Sequence, residues 1–93
     1  FENCTSMVTG PTSIPSTVIN MQRTFKNCNS LSGSIEVNAN ITGKLIDGKI
    51  DYFNAFYDAG INGMGIIIQK SSSTSKNILI NIASQSSEVS LEE

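Results

Sequence analysis

The sequence predicts an all-β fold, an immunoglobulin-like antiparallel β-sandwich, and three observations carry that expectation. Asn, Ser, Thr and Gly recur throughout the 93 residues while Ala, Leu, Glu and Arg are scarce, a composition suited to strands and turns. Residues 34–42 read SIEVNANIT, which places Ile35, Val37, Ala39 and Ile41 on one face and Glu36, Asn38 and Asn40 on the other. Asp47-Gly48 then supplies a tight-hairpin dipeptide, because both residues tolerate positive φ. Six or seven short strands separated by turn residues fit a sandwich. A closed barrel is the alternative architecture.

The elements follow in chain order. A short strand is expected near residues 5–8, and Gly10-Pro11 and Ile14-Pro15 break the chain after it, since proline cannot donate to a ladder. Residues 16–28 admit two readings. One is a helix capped by Ser16 with Ile19, Arg23 and Lys26 at helical spacing; the other is a long strand with Val18, Ile19, Met21 and Phe25 facing inward. The β-branched Thr17, Val18, Ile19 and Thr24 favour the strand. Beyond the strand at 34–42, residues 44–50 form the hairpin and 50–57 its returning strand. Asp58-Ala-Gly-Ile-Asn-Gly-Met-Gly65 is a bent entry to a strand over 64–69 that is expected to be buried on both faces. Residues 71–76 read as a polar loop, Ile78, Ile80 and Ile82 as the alternation of another core strand, and 89–91 as the start of one more. No internal repeat is visible.

A chain of this length makes one domain, residues 1–93, whose core is modest. Charged residues are 15% of it, with a net charge of −2 and a single arginine, Arg23, so no basic patch exists to neutralise phosphates and nucleic acid is a poor partner. The longest wholly aliphatic run, Ile66-Ile67-Ile68, is far short of the roughly 20 residues a membrane-spanning helix needs. No signal peptide precedes Phe1, as expected of an exported protein whose leader has been removed or of an excised piece.

Cys4 and Cys28 are the only cysteines, and there is no histidine, so a zinc site lacks its usual ligands and no metal or cofactor is expected. A disulfide between the two is the economical reading. It closes a loop of about 25 residues and contributes roughly 3 to 3.5 kcal/mol on the chain-entropy model. Such a bond implies an oxidising compartment, hence export. The rival reading is a pair of reduced, buried thiols.

No catalytic residue is expected. Serine and cysteine nucleophiles usually rely on a histidine base, which is absent. Asp47, Asp51 and Asp58 lie close in sequence, but a turn, a strand flank and a glycine-rich bend account for them. Their spacing matches no EF-hand loop. Gly60-x-x-Gly63-x-Gly65 lacks the Lys-Ser/Thr ending of a phosphate loop and enters a strand. Tyr52, Phe53, Phe56 and Tyr57 form an aromatic cluster; on a strand Tyr52 and Phe56 share one face and Phe53 and Tyr57 the other, so at least one pair belongs to the core. Tyr52 and Tyr57 are nonetheless the candidates for stacking on a ligand.

Taken in order, Cys4, the proline-broken segment, Met21-x-Arg-x-Phe25 leading to Cys28, and the run Asp58-Ala-Gly-Ile-Asn-Gly-Met-Gly-Ile-Ile-Ile-Gln69 resemble chaperone-usher fimbrial subunits over residues 4–82, most closely the pilin domain of a tip adhesin. That resemblance implies a sandwich lacking its last strand, with a groove filled first by a periplasmic chaperone and then by the N-terminal extension of a neighbouring subunit. Val8, Ile66, Ile68, Ile80 and Ile82 are the expected groove residues. The implied role is a structural or adhesive subunit that matures through the periplasm to the cell surface and meets a host receptor through an associated domain. Two features depart from the family: only Phe1 to Asn3 precede Cys4, and no tyrosine-bearing strand follows Val89. An exported ligand-binding sandwich and a type IV pilin-like fragment are the alternatives.

Overall fold

The computed structural model describes residues 1–69 and 74–92. Its elements are β1 (Ser13–Ile14), β2 (Gly33–Val37), β3 (Leu45–Ile46), β4 (Lys49–Ile50), β5 (Ile66–Gln69), α1 (Lys76–Ala83) and β6 (Val89–Leu91). Four of the strands form one sheet in the order β1-β2-β5-β6, and every pairing in it is parallel. Ser34 lies beside Ile67 and Ile67 beside Ser90, so equivalent positions stack across the sheet. The antiparallel pair β3-β4 stands apart as a two-residue hairpin. Asp47 (φ 52°) and Gly48 (φ 80°) form its turn, the backbone that the dipeptide predicts.

This overturns the antiparallel sandwich. Parallel neighbours need a crossover between them, and the stretches read as strands at 16–28 and 50–57 are crossovers. Each is a ribbon of overlapping tight turns. Thr24, Lys26 and Cys28 donate to the carbonyls of Met21, Arg23 and Phe25 at 3.1–3.3 Å, and Ala55, Tyr57 and Ala59 donate to those of Tyr52, Asn54 and Phe56 at 2.9–3.3 Å. Residues in the left-handed region recur four apart in both ribbons, at Arg23 and Asn27 and again at Asn54 and Asp58. A strand cannot contain such residues, and asparagine and aspartate occupy this region more readily than most.

The two ribbons stack in register. Met21, Arg23, Phe25 and Asn27 donate their N–H groups to the carbonyls of Asp51, Phe53, Ala55 and Tyr57 at 2.7–2.9 Å, one bond for every second residue. A structural repeat of ribbon plus strand is therefore present: 21–29 with β2, then 51–62 with β5. Gly63 shows how closely the two repeats approach, since a Cβ there would sit 2.6 Å from the Leu31 carbonyl and the Ser32 hydroxyl. The glycine-rich entry to β5 is a close backbone approach as well as a bend.

The residues read as a strand around Ile78, Ile80 and Ile82 belong to α1. Ser75 caps the helix, its hydroxyl accepting from the Ile78 N–H, and Leu79, Ile82 and Ala83 are its buried residues. Gln85, just past the helix, spans the second ribbon: its side chain accepts from the Phe56 N–H and donates to the Tyr52 carbonyl, both at 2.9 Å. The core lies between the sheet and the ribbon-and-helix layer. Ile35, Val37, Ile66, Ile68 and Val89 point inward from the sheet to meet Met21, Phe25, Leu31, Phe56, Leu79 and Ile82. Two buried rings meet in it, Phe25 and Phe56, tilted at 37° with centroids 5.0 Å apart, and the exposed Phe1 stacks on the outer side of Phe25 at 5.7 Å. The expected strand at 5–8 is absent; one isolated bridge, Thr9 to Ser32, marks that stretch.

Candidate functional site

Of the five expected groove residues the structure brings three together, Ile66, Ile68 and Ile82, inside the core, and leaves Val8 and Ile80 on the surface. Ile66 and Ile68 lie fully inside the core on β5, and Ile82 is buried on α1. Ile80 faces out from the same helix, and Val8 is 58% exposed beside the first bridge. The outward residue of β5, Ile67, is also exposed, so that strand is buried on one face only. A donor-strand groove requires these side chains on facing edges of a sandwich, and this sheet does not present them so.

The tyrosines divide. Tyr52 is 8% exposed, with its hydroxyl accepting from the Asn81 amide at 3.2 Å, so it is a core residue with a satisfied polar tip. Tyr57 is 44% exposed at the outer edge of the second ribbon. The three aspartates take structural roles. Asp51 is fully buried and accepts from the backbone N–H groups of Thr42 and Gly43 at 3.2–3.3 Å, fastening the base of the loop that carries the hairpin. Gln22 steadies the hairpin from the first ribbon, donating to the carbonyls of Ile46, Lys49 and Ile50 at 3.0–3.1 Å. Among the described residues no group of three His, Cys, Asp or Glu side chains is placed to hold a metal ion. No helix among them is long and apolar enough to cross a membrane.

The feature that sequence reasoning passed over is a cleft of about 370 Å³ at the start of the chain. Ile14, Met21 and Phe25 form its apolar floor, Pro15 and Val18 one side, and Phe1 another; Ser13, Asn20 and Thr24 add polar groups. Phe1 is 61% exposed although its ring lies flat on Phe25, with 5° between the planes. Both prolines of the broken segment, Pro11 and Pro15, line the cleft together with residues of the first ribbon. Pro11 and Pro15, read in the sequence only as strand breakers, were the available signal.

Next to the cleft lie the two cysteines, both free thiols in this structure. The expected disulfide is thus not formed, yet the pair is brought together. The Cys28 thiol is buried and donates to the Phe1 carbonyl at 2.8 Å, and the Cys4 N–H donates to the same oxygen at 3.1 Å. Burial pushes the Cys28 thiol above its ordinary pKa of 9.0; a hydrogen bond from the Cys4 backbone opposes this, and the Cys4 side chain adds to it. The first residues are held down by the Asn3 N–H to the Lys26 carbonyl at 2.8 Å, the Asn27 amide to Asn3 at 2.9 Å, and an ion pair of Lys26 with Glu2 at 3.9 Å.

The fold and these features define a small domain of stacked ribbon-and-strand repeats with an apolar cleft and an adjacent thiol pair. Comparison with protein families, with curated proteins and with solved structures finds no match.

Proposed function

We propose that this chain is a non-catalytic ligand-binding module of an exported protein, and that it takes a small apolar or aromatic group into the cleft between its N-terminal segment and first ribbon. The observation that supports this reading is the cleft itself. Its volume of about 370 Å³ falls in the range of small-ligand sites, and it combines an apolar floor with a few polar groups, as such sites do. The ring of Phe1 on Phe25 offers a flat wall on which another ring could stack. The fimbrial reading drew its support from an incomplete antiparallel sandwich, and the four-stranded sheet here is parallel. Tyr57, the exposed tyrosine, lies on the second ribbon and is not among the residues that line the cleft.

The test uses p-cresol and indole as probes, followed by amide and methyl chemical shifts. Saturable shifts centred on Met21, Val18 and Phe25, abolished when Val18→Trp fills the cleft, are the expected result. Probes that leave those signals unmoved up to their solubility, or that shift Val18→Trp equally, contradict the reading.

A further inference from the structure

We infer that Cys4 and Cys28 form a reversible dithiol–disulfide couple that fastens the N-terminal segment, and with it Phe1, onto the first ribbon. The inference stands whether or not the cleft binds a ligand. It rests on a carbonyl the two cysteines share, on the influence of one thiol on the other, and on the docking of the segment that carries Cys4. The Phe1 oxygen receives both the Cys28 S–H and the Cys4 N–H, which holds the two residues on the same side of a single peptide group. The Cys4 side chain is also one of the groups that raise the Cys28 pKa. The segment that carries Cys4 is already docked on the residues around Cys28 by the Asn3-to-Lys26 bond, the Asn27-to-Asn3 bond and the Phe1–Phe25 stack, so closure demands little further ordering.

The two thiols differ in access, and that sets the order of events. Cys4 is half-buried and Cys28 fully buried. As its thiolate, Cys4 attacks a low-molecular-weight disulfide, RSSR, forming a mixed disulfide and releasing one RS⁻. Cys28 then gives up its proton and attacks the Cys4 sulfur, expelling the second RS⁻. The net change is two protein thiols oxidised to one disulfide and RSSR reduced to two RSH, with the protons carried on the released thiols. Burial that keeps Cys28 protonated slows the second step, so the mixed disulfide on Cys4 accumulates transiently at neutral pH.

The consequence lies at the N-terminal end of the core. In the reduced state Phe1 is held by hydrogen bonds and ring contact alone; in the oxidised state a covalent link three residues away confines it, and the wall of the cleft with it. Closing the loop between the cysteines also restricts the unfolded chain.

The experiment equilibrates the whole chain in buffers of graded reduced-to-oxidised glutathione ratio, traps free thiols by alkylation, and reads the products by mass spectrometry beside the thermal midpoint. The expected result is a single intramolecular Cys4–Cys28 disulfide, reversed by dithiothreitol, with a midpoint higher by roughly 15 °C. Cys4→Ser and Cys28→Ser variants, measured reduced, report whether either substitution unfolds the chain by itself, and neither should respond to oxidant with a rise in midpoint. Products limited to glutathione adducts or intermolecular dimers, or an intramolecular bond that lowers the midpoint, would overturn the inference.

Discussion

The crossover from β2 to β5 and the one from β5 to β6 bridge neighbouring parallel strands with opposite local structures. The first carries a ribbon of tight turns over 51–62, with Asn54 and Asp58 in the left-handed region. The second carries the two-turn helix α1, capped by Ser75 and followed by Gln85, which ties it to the ribbon. Both bury apolar residues in the same core, Phe56 and Ala59 from the ribbon and Leu79 and Ile82 from the helix. The comparison teaches that the fold specifies a position and an apolar face for each crossover and leaves the backbone conformation to local chemistry. Asn and Asp four apart favour repeated left-handed turns, whereas a serine cap before Lys-Asn-Ile-Leu favours a helix.

The largest break in this picture is expected from Phe25→Ala. Its ring is fully buried between Phe1 and Phe56, so truncation leaves a cavity in the stack and costs about 3–5 kcal/mol by denaturant unfolding. Asp51→Ala comes next. It strands the buried N–H groups of Thr42 and Gly43, for a loss of about 2 kcal/mol, with Asn at the same position recovering part of it. Ser75→Ala separates the two crossovers, because it lowers stability by about 1 kcal/mol and reduces the helical circular dichroism signal while the ribbon cross-peaks in an NMR spectrum stay in place. The smallest effect sharpens the ribbon side: Asn27→Ala costs about 1 kcal/mol or less at its φ of 62°, and Asn27→Gly is tolerated better than Asn27→Ala.

The pH dependence of the reduced protein adds a graded check on the buried thiol. The folded state raises the Cys28 pKa, so this group's contribution is complete below its ordinary value of 9.0 and is lost as pH rises through the folded pKa. The reduced wild-type chain should lose stability on the alkaline side of pH 9 more steeply than Cys28→Ser, read as unfolding midpoints across that range.

Much of the local geometry was legible in the residues. The alternation of Ile35 and Val37 is realised on β2 and carried on by buried Ala39 and Ile41, the Asp47-Gly48 turn forms the hairpin, and 66–69 and 89–91 are strands. Two things were not. The parallel order depends on where each crossover delivers the chain, and strand alternation is the same for parallel and antiparallel partners. The identity of 16–28, 50–57 and 78–82 was hidden because their β-branched residues, and in 50–57 the aromatic ones, mimic strands. In hindsight the spacing of Met21, Phe25 and Cys28, echoed by Tyr52, Phe56 and Ala59, is that of a one-sided apolar stripe in a coiled backbone. Asn54 and Asp58, set between apolar neighbours, were the mark of turns. The cleft was illegible for a related reason: Phe1 and Phe25 are far apart in sequence, and only the docking of residues 1–5 on the first ribbon makes them one wall.

The measurement that tests the stacked, parallel arrangement most directly is a set of backbone nuclear Overhauser contacts across the sheet. The parallel register predicts cross-peaks connecting Ile35 with Ile68 and Ile68 with Leu91, accompanied by Ser34 with Ile67 and Ile67 with Ser90, all advancing in the same chain direction. Cross-peaks in which one strand's residue numbers fall as its neighbour's rise would establish antiparallel pairing and contradict the fold on which the cleft and the thiol pair both depend.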